Sequence, residues 1–254
     1  MRLDESILEA TAKMLKNNSK YVEDNLSKIQ TIYDKLAAAG ARCKTCATKG
    51  TNAGIKHLDE IIDDLDFAIT NFKDKKGFDK LLTEMAAHSN KADGGAFMLQ
   101  YLKSKGAGFA NNVQEFESFY LSGERFEADI KLFDGVTKLI EFKSFAKSSW
   151  EAFGGTSSLN QLKGYMKSGE VFEYVANKTK LLNDGVADPA KFVKEQFQRV
   201  FKKNAEDFFK PVNQGGLDIN IIKKQFGNGI DDLDDFLDVI KNLDSKIYKN
   251  IKVE

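Results

Sequence analysis

Three residues on two neighbouring apolar segments have the types and spacing for chemistry. Glu141 and Lys143 stand two apart in VTKLIEFKSF, and Asp129 stands in the preceding segment, FEADIKLF. Residues two apart on a strand leave the same face of a sheet, so Glu141 and Lys143 project together if their segment is extended. A carboxylate arriving from the adjacent strand makes a hard, anionic, oxygen-lined pocket suited to Mg²⁺ or Mn²⁺, with water completing the coordination. A lysine beside that pocket can steady phosphate charge or help orient and deprotonate a water. Arg125 precedes Asp129 by four and shares its face on an unbroken strand, where it suits a phosphate; a surface or ion-paired arginine is the equal alternative. Together these are the parts for phosphodiester hydrolysis.

The elements that must position them follow from residue patterning. NNVQEFESFYL, FEADIKLF and VTKLIEFKSF are rich in Phe, Val, Ile and Thr and are separated by the turn dipeptides SG and DG, which predicts a three-stranded antiparallel meander. GGAFMLQYLKSKG before it and SSLNQLKGYMKSG after it read as helices, and VFEYVANK reads as a fourth strand. The second hairpin carries an internal test. With a strict two-residue turn at Asp134–Gly135, Phe133 opposes Val136, and Asp129 faces away from Glu141. A three-residue connection, or a bulge, brings Asp129 onto the face of Glu141 and Lys143.

Residues 1–88 read as helical, through Ile7, Ala10 and Met14 and through Leu58, Ile61, Ile62, Leu65 and Ile69. Residues 89–180 hold the strands, and residues 181–254 return to helix in KFVKEQFQRVFKKNAEDFF and DDLDDFLDVIKNL, with GGLDINII as a short strand between them. The fold class is therefore α/β (α+β), with helical flanks on both sides of the mixed core. The 254 residues contain 20 Phe, so aromatic burial is the expected source of core stability. Basic and acidic residues number 38 each, which argues against holding nucleic acid or anionic membrane by bulk charge. No apolar run is long enough for a membrane span, and MRLDESILEA lacks the layout of a secretory leader. The pair Cys43-x-x-Cys46 finds only His57 and His88 as further soft ligands, at spacings matching no common zinc site. It reads as two thiols or a local disulfide.

Asp129, eleven intervening residues, then Glu141-Phe142-Lys143, set in the order helix, three strands, helix, strand, resembles the PD-(D/E)xK (restriction-endonuclease-like) nuclease superfamily. The helix after the third strand adds Gln161-x-x-x-Tyr165, a pattern that several branches of that superfamily carry at this place. The resemblance covers residues 89–178, and Ala128 stands where the family name has proline. It implies a restriction-endonuclease-like core in which Asp129, Glu141 and the carbonyl of Phe142 bind Mg²⁺ or Mn²⁺. It implies catalytic roles for Asp129, Glu141 and Lys143, and a positioning or supporting role for Gln161 and Tyr165, which share one helix face at i and i+4. The succession GGAFMLQYL, RFEADIKL, IEFKSF and NQLKGYM is also similar to nuclease domains at the C-terminal ends of bacterial polymorphic toxins. That similarity implies delivery into the cytoplasm of a target cell and a cognate immunity protein as partner. The expected substrate is nucleic acid, DNA ahead of RNA, with no membrane partner. The alternatives are a cytoplasmic restriction or repair nuclease that is not a toxin, and a non-enzymatic helical interaction protein in which Glu141 and Lys143 are solvated surface residues.

Four other features have ordinary explanations. Trp150 and Phe153 read as a loop anchor ahead of a base-stacking pair. The basic stretch 191–210 reads as a solvated helix face ahead of a nucleic-acid rim, and Asp231–Asp238 as the acidic face of an amphipathic helix. His57 and His88 have no expected catalytic role.

Overall fold

A computed structural model describes residues 5–41, 58–121 and 125–254. Cys43, Cys46 and His57 lie outside the described residues, as does the side chain of Arg125. The chain packs as two compact units, Met1–Glu117 and Ser118–Glu254.

The first unit is helical. Its members are α1 (Glu5–Ala41), α2 (Leu58–Phe72), α3 (Phe78–Ala87) and α4 (Ser89–Lys105). Met14, Val22, Ile29, Ile32 and Leu36 form the buried stripe of α1, against Ile61, Ile62, Leu65 and Ile69 of α2. Asn18 interrupts that stripe, and there the helix kinks, with φ −138° and ψ 36°. Its amide donates to Asp66 at 3.1 Å and Thr70 at 2.8 Å and accepts from Lys73 at 3.2 Å, so the buried polar group is satisfied. His88 joins α3 to α4 and caps neither through its side chain.

Strand β1 (Val113–Leu121) carries the boundary between the units, and the sheet continues through β2 (Arg125–Phe133), β3 (Thr137–Lys143), β4 (Val171–Ala176) and β5 (Ile251–Val253), in that spatial order. Strands β2 and β3 are antiparallel, whereas β3, β4 and β5 run parallel. The sheet is therefore mixed, and β5, only three residues long, is a member that composition does not reveal. Phe133 pairs with Thr137, which leaves Asp134, Gly135 and Val136 as the connection. The three-residue hairpin anticipated from the site requirement is thus present, with Gly135 at φ 95°, a conformation that side chains disfavour.

The remaining helices are α5 (Lys147–Glu151), α6 (Thr156–Lys167), α7 (Lys178–Asn183), α8 (Pro189–Lys203), α9 (Ala205–Phe208), α10 (Ile219–Phe226) and α11 (Leu233–Lys241). GGLDINII is not a strand. Asp218 accepts from the Asn220 backbone N–H at 2.7 Å and so caps the start of α10; Leu217 is buried just before the helix, Ile222 is buried on it, and Ile219 and Ile221 pack half-buried against the core. The acidic run serves likewise, because Asp232 accepts from the Asp235 N–H at 3.0 Å and Asp235 accepts from the Asp231 N–H at 2.9 Å at the head of α11.

The core of the second unit is aromatic. Val193, Phe197, Val200 and Phe201 follow helical spacing on α8 and are all buried. Phe197 lies 5.0 Å from Tyr174 of β4 and 4.9 Å from Phe153, ring centre to ring centre. Trp150 lies on the short helix α5 and not on a loop, and it and Phe153, just beyond that helix, are buried in this cluster, so they anchor the segment and present no stacking surface. Arg199, in the basic stretch, donates to the carbonyls of Glu151 and Phe153, each at 2.9 Å, and fastens the same segment. No helix among the described residues is long and apolar enough to cross a membrane.

Candidate active site

Strand β3 places Glu141 and Lys143 on one face, and β4 sets Tyr174 directly beside Glu141 in parallel register. Glu141 is 4% exposed. A buried carboxylate is expensive unless charge and hydrogen bonds surround it, and here three donors do. Lys143 Nζ and Gln161 Nε2, the latter at 3.0 Å, both donate to Glu141 Oε1. Tyr165 donates its hydroxyl to Oε2 and lies 3.0 Å from the Glu127 carbonyl. Lys143 also donates to Gln161 Oε1 at 3.3 Å. Gln161 and Tyr165, one helical turn apart on α6, thus both close on the carboxylate that their spacing allowed them to share.

Asp129 arrives where the β2–β3 ladder ends. The paired register runs from Phe133–Thr137 to Ile130–Ile140, and one step further Asp129 Oδ2 accepts the Phe142 N–H at 2.7 Å. Phe126 and Ala128 belong to the same buried cluster as Leu139 and Tyr174, although Lys131 is the residue that pairs with Leu139. The alternation of β2 therefore shifts by one residue across Asp129, as at a bulge, and the carboxylate takes a donor that a continued ladder would have used. In an extended strand the N–H and C=O of one residue project to the same side, so the Phe142 carbonyl lies on the edge that faces Asp129.

Helix α6 reaches the sheet because Gly164 has no side chain. A Cβ there would meet Phe126 Cδ1 at 2.4 Å, and the Phe126 ring lies 4.7 Å from that of Tyr165. Gly164→Ala is expected to destabilise the protein by about 1–3 kcal/mol despite alanine's better helix propensity, read as a lowered urea midpoint at unchanged slope.

Burial holds the Tyr165 hydroxyl well above the ordinary tyrosine range, and the Glu141 carboxylate, Tyr174 and Asp129 push it further. Tyr174 is raised in the same way, by burial, then Glu141, then Asp129. Both carboxylates therefore act on the same two phenols. Tyr165 stays a hydrogen-bond donor and is unsuited to be a base. The raised phenols also set a pH dependence. Below the unfolded tyrosine value of about 10 both states keep the proton; above it only the unfolded chain releases one, so stability falls as pH rises. Urea midpoints are expected to stay level up to about pH 9.5 and to decline beyond it, more steeply than in Tyr165→Phe.

The donor set suits a small hard cation. Mg²⁺ is commonly held by one or two carboxylates with water and substrate phosphate supplying the rest, and Asp129, Glu141 and the Phe142 carbonyl are oxygen donors of that kind. A carboxylate offers about four acceptor positions, of which Glu141 has three in use. Among the described residues no group of three or more His, Cys, Asp or Glu side chains gathers as a metal cage. Arg125 opens β2 at the same end of the sheet. Tyr174 and Phe145, whose ring lies 5.3 Å from Lys143 Nζ, belong to the site without having been singled out by sequence; the alternation of VFEYV, which puts Phe172 and Tyr174 on one face, was the available signal for the first. Compared with known proteins, the chain matches no family model, no curated protein and no solved structure.

Proposed function

We propose that this protein is a metal-dependent nuclease that hydrolyses phosphodiester bonds, DNA in preference to RNA, on a restriction-endonuclease-like core. The observation that carries this is the meeting of Lys143, Gln161 and Tyr165 on the Glu141 carboxylate, with Asp129 bound to the next backbone N–H. Asp129, Glu141 and the Phe142 carbonyl would hold a divalent cation, which would supply Lewis acidity at the scissile phosphate and acidify water there. Lys143 steadies the phosphate charge or orients the attacking water. Gln161 and Tyr165 fix the Glu141 carboxylate in one orientation, as outer partners of a metal ligand do.

The biological role we propose is that of a toxin domain in bacterial antagonism, delivered to a target cell and neutralised by a cognate immunity protein. It rests on the similarity of GGAFMLQYL, RFEADIKL, IEFKSF and NQLKGYM to such domains. Incubation with plasmid DNA, single-stranded DNA and total RNA, each with Mg²⁺, Mn²⁺ or chelator, tests the chemistry. Cleavage that requires metal is expected, and identical products with and without chelator would remove the assignment. Growth arrest on expression, relieved by a neighbouring gene product, separates a toxin from a restriction or repair enzyme. One observation favours a non-enzymatic interaction protein: three donors inside the fold already hold the Glu141 carboxylate, as in a structural polar cluster. Absence of cleavage with every metal and substrate is the outcome that reading requires.

A further inference from the structure

Lys143 carries a flexible four-carbon stem that loses rotamer entropy when it is ordered, so a lysine that must meet a phosphate needs fixed partners. Two are polar, Glu141 Oε1 and Gln161 Oε1. The third is aromatic. Lys143 Nζ lies over the ring of Phe145, 5.3 Å from its centre, within the roughly 6 Å over which a ring face attracts an ammonium. Phe145 is itself braced. Its ring packs edge-on against Trp150 at 5.4 Å, and the fully buried Trp150 packs against Phe153 at 5.2 Å and Phe197 at 6.1 Å. The backbone between lysine and ring is pinned as well, since Ser144 Oγ accepts from Asn177 Nδ2 at 3.1 Å and the Asn177 N–H donates to the Lys143 carbonyl at 3.1 Å.

We propose that Phe145 is a positioning residue for Lys143, its braced ring face holding the ammonium where it meets the scissile phosphate. This rests on the nuclease reading of the site. Glu141 is the partner that Lys143 must share with any bound cation. The Phe145 ring and the Gln161 carbonyl are neutral, so they are the contacts that keep the lysine in place when Glu141 serves as a ligand. Lys143, Phe145 and Trp150 thereby connect the site to the α8 core.

Phe145→Leu keeps an apolar side chain and removes the ring; Phe145→Tyr keeps the ring. Phe145→Leu is expected to lower kcat by about threefold to thirtyfold, with KM within about twofold and Mn²⁺ affinity, measured by calorimetry on the protein alone, unchanged. Phe145→Tyr is expected to restore the rate. In a Lys143→Ala background, Phe145→Leu should have no further effect, the coupling expected of a residue that acts through the lysine. An equal loss in both backgrounds, or wild-type kcat in Phe145→Leu, overturns the proposal while leaving the nuclease reading intact. Wild-type protein without metal-dependent cleavage overturns both.

Discussion

Lys143→Ala is expected to lower metal-dependent cleavage by about 10³-fold or more while the protein still folds. The magnitude follows from the role: removing one preorganised group that meets transition-state charge costs about 10²–10³-fold, and losing a proton-transfer group costs about 10²–10⁴-fold. Folding survives because Glu141 keeps Gln161 and Tyr165 as donors when the ammonium is gone. The loss of a charged partner beside a buried carboxylate still destabilises, by about 1–3 kcal/mol, so circular dichroism and urea unfolding belong with the assay. Asp129→Ala is expected to match the loss in rate, and it also strands the Phe142 N–H. Cleavage at the wild-type rate in both variants, with spectra showing a folded chain, would remove Asp129 and Lys143 from the chemistry.

The largest effect on stability is expected at Phe197, which is fully buried between the sheet and the segment of α5 that carries Trp150. Its ring meets Tyr174 at 5.0 Å, Phe153 at 4.9 Å, Phe201 at 6.0 Å and Trp150 at 6.1 Å. Phe197→Ala removes the transfer free energy of the ring and leaves a cavity that this many rigid neighbours cannot close, at a cost of about 3–5 kcal/mol. A fall in Tm on the order of 10 °C follows for a domain of this size. Phe133 is the control: it sits 49% exposed at the end of the β2–β3 hairpin, and Phe133→Ala should shift stability by no more than about 0.5 kcal/mol. Similar losses at both positions would mean that the aromatic cluster does not hold the fold together.

Local pattern made much of the molecule legible. The helical spacing of α1, α2, α8 and α11, the strand pattern of β2, β3 and β4, and the turn at Gly135 are written in residue types a few positions apart. The demand that Asp129 and Glu141 cooperate was itself informative, because it called for the three-residue hairpin that the register shows. GGLDINII misled because a short apolar run suits a strand or a helix equally, and the deciding fact was the capping bond from Asn220 to Asp218. Strand β5 escaped notice because three residues carry no periodicity, and it exists only through its pairing with β4.

The candidate site divides along the same line. Sequence alone determined that Glu141 and Lys143 share a strand face and that Gln161 and Tyr165 share a helix face, since each pair is set by the repeat of a single element. Tertiary structure decided that the two pairs meet, through the seat of α6 at Gly164 against Phe126 and the hydrogen bonds that cross from helix to strand. It alone set Tyr174 beside Glu141, through parallel pairing of strands joined by way of α5 and α6, and Phe145 against Lys143, through the buried Trp150. The physical reason is range: periodicity is a property of neighbours along the chain, whereas pairing register and close packing are fixed by residues that only the folded core brings together.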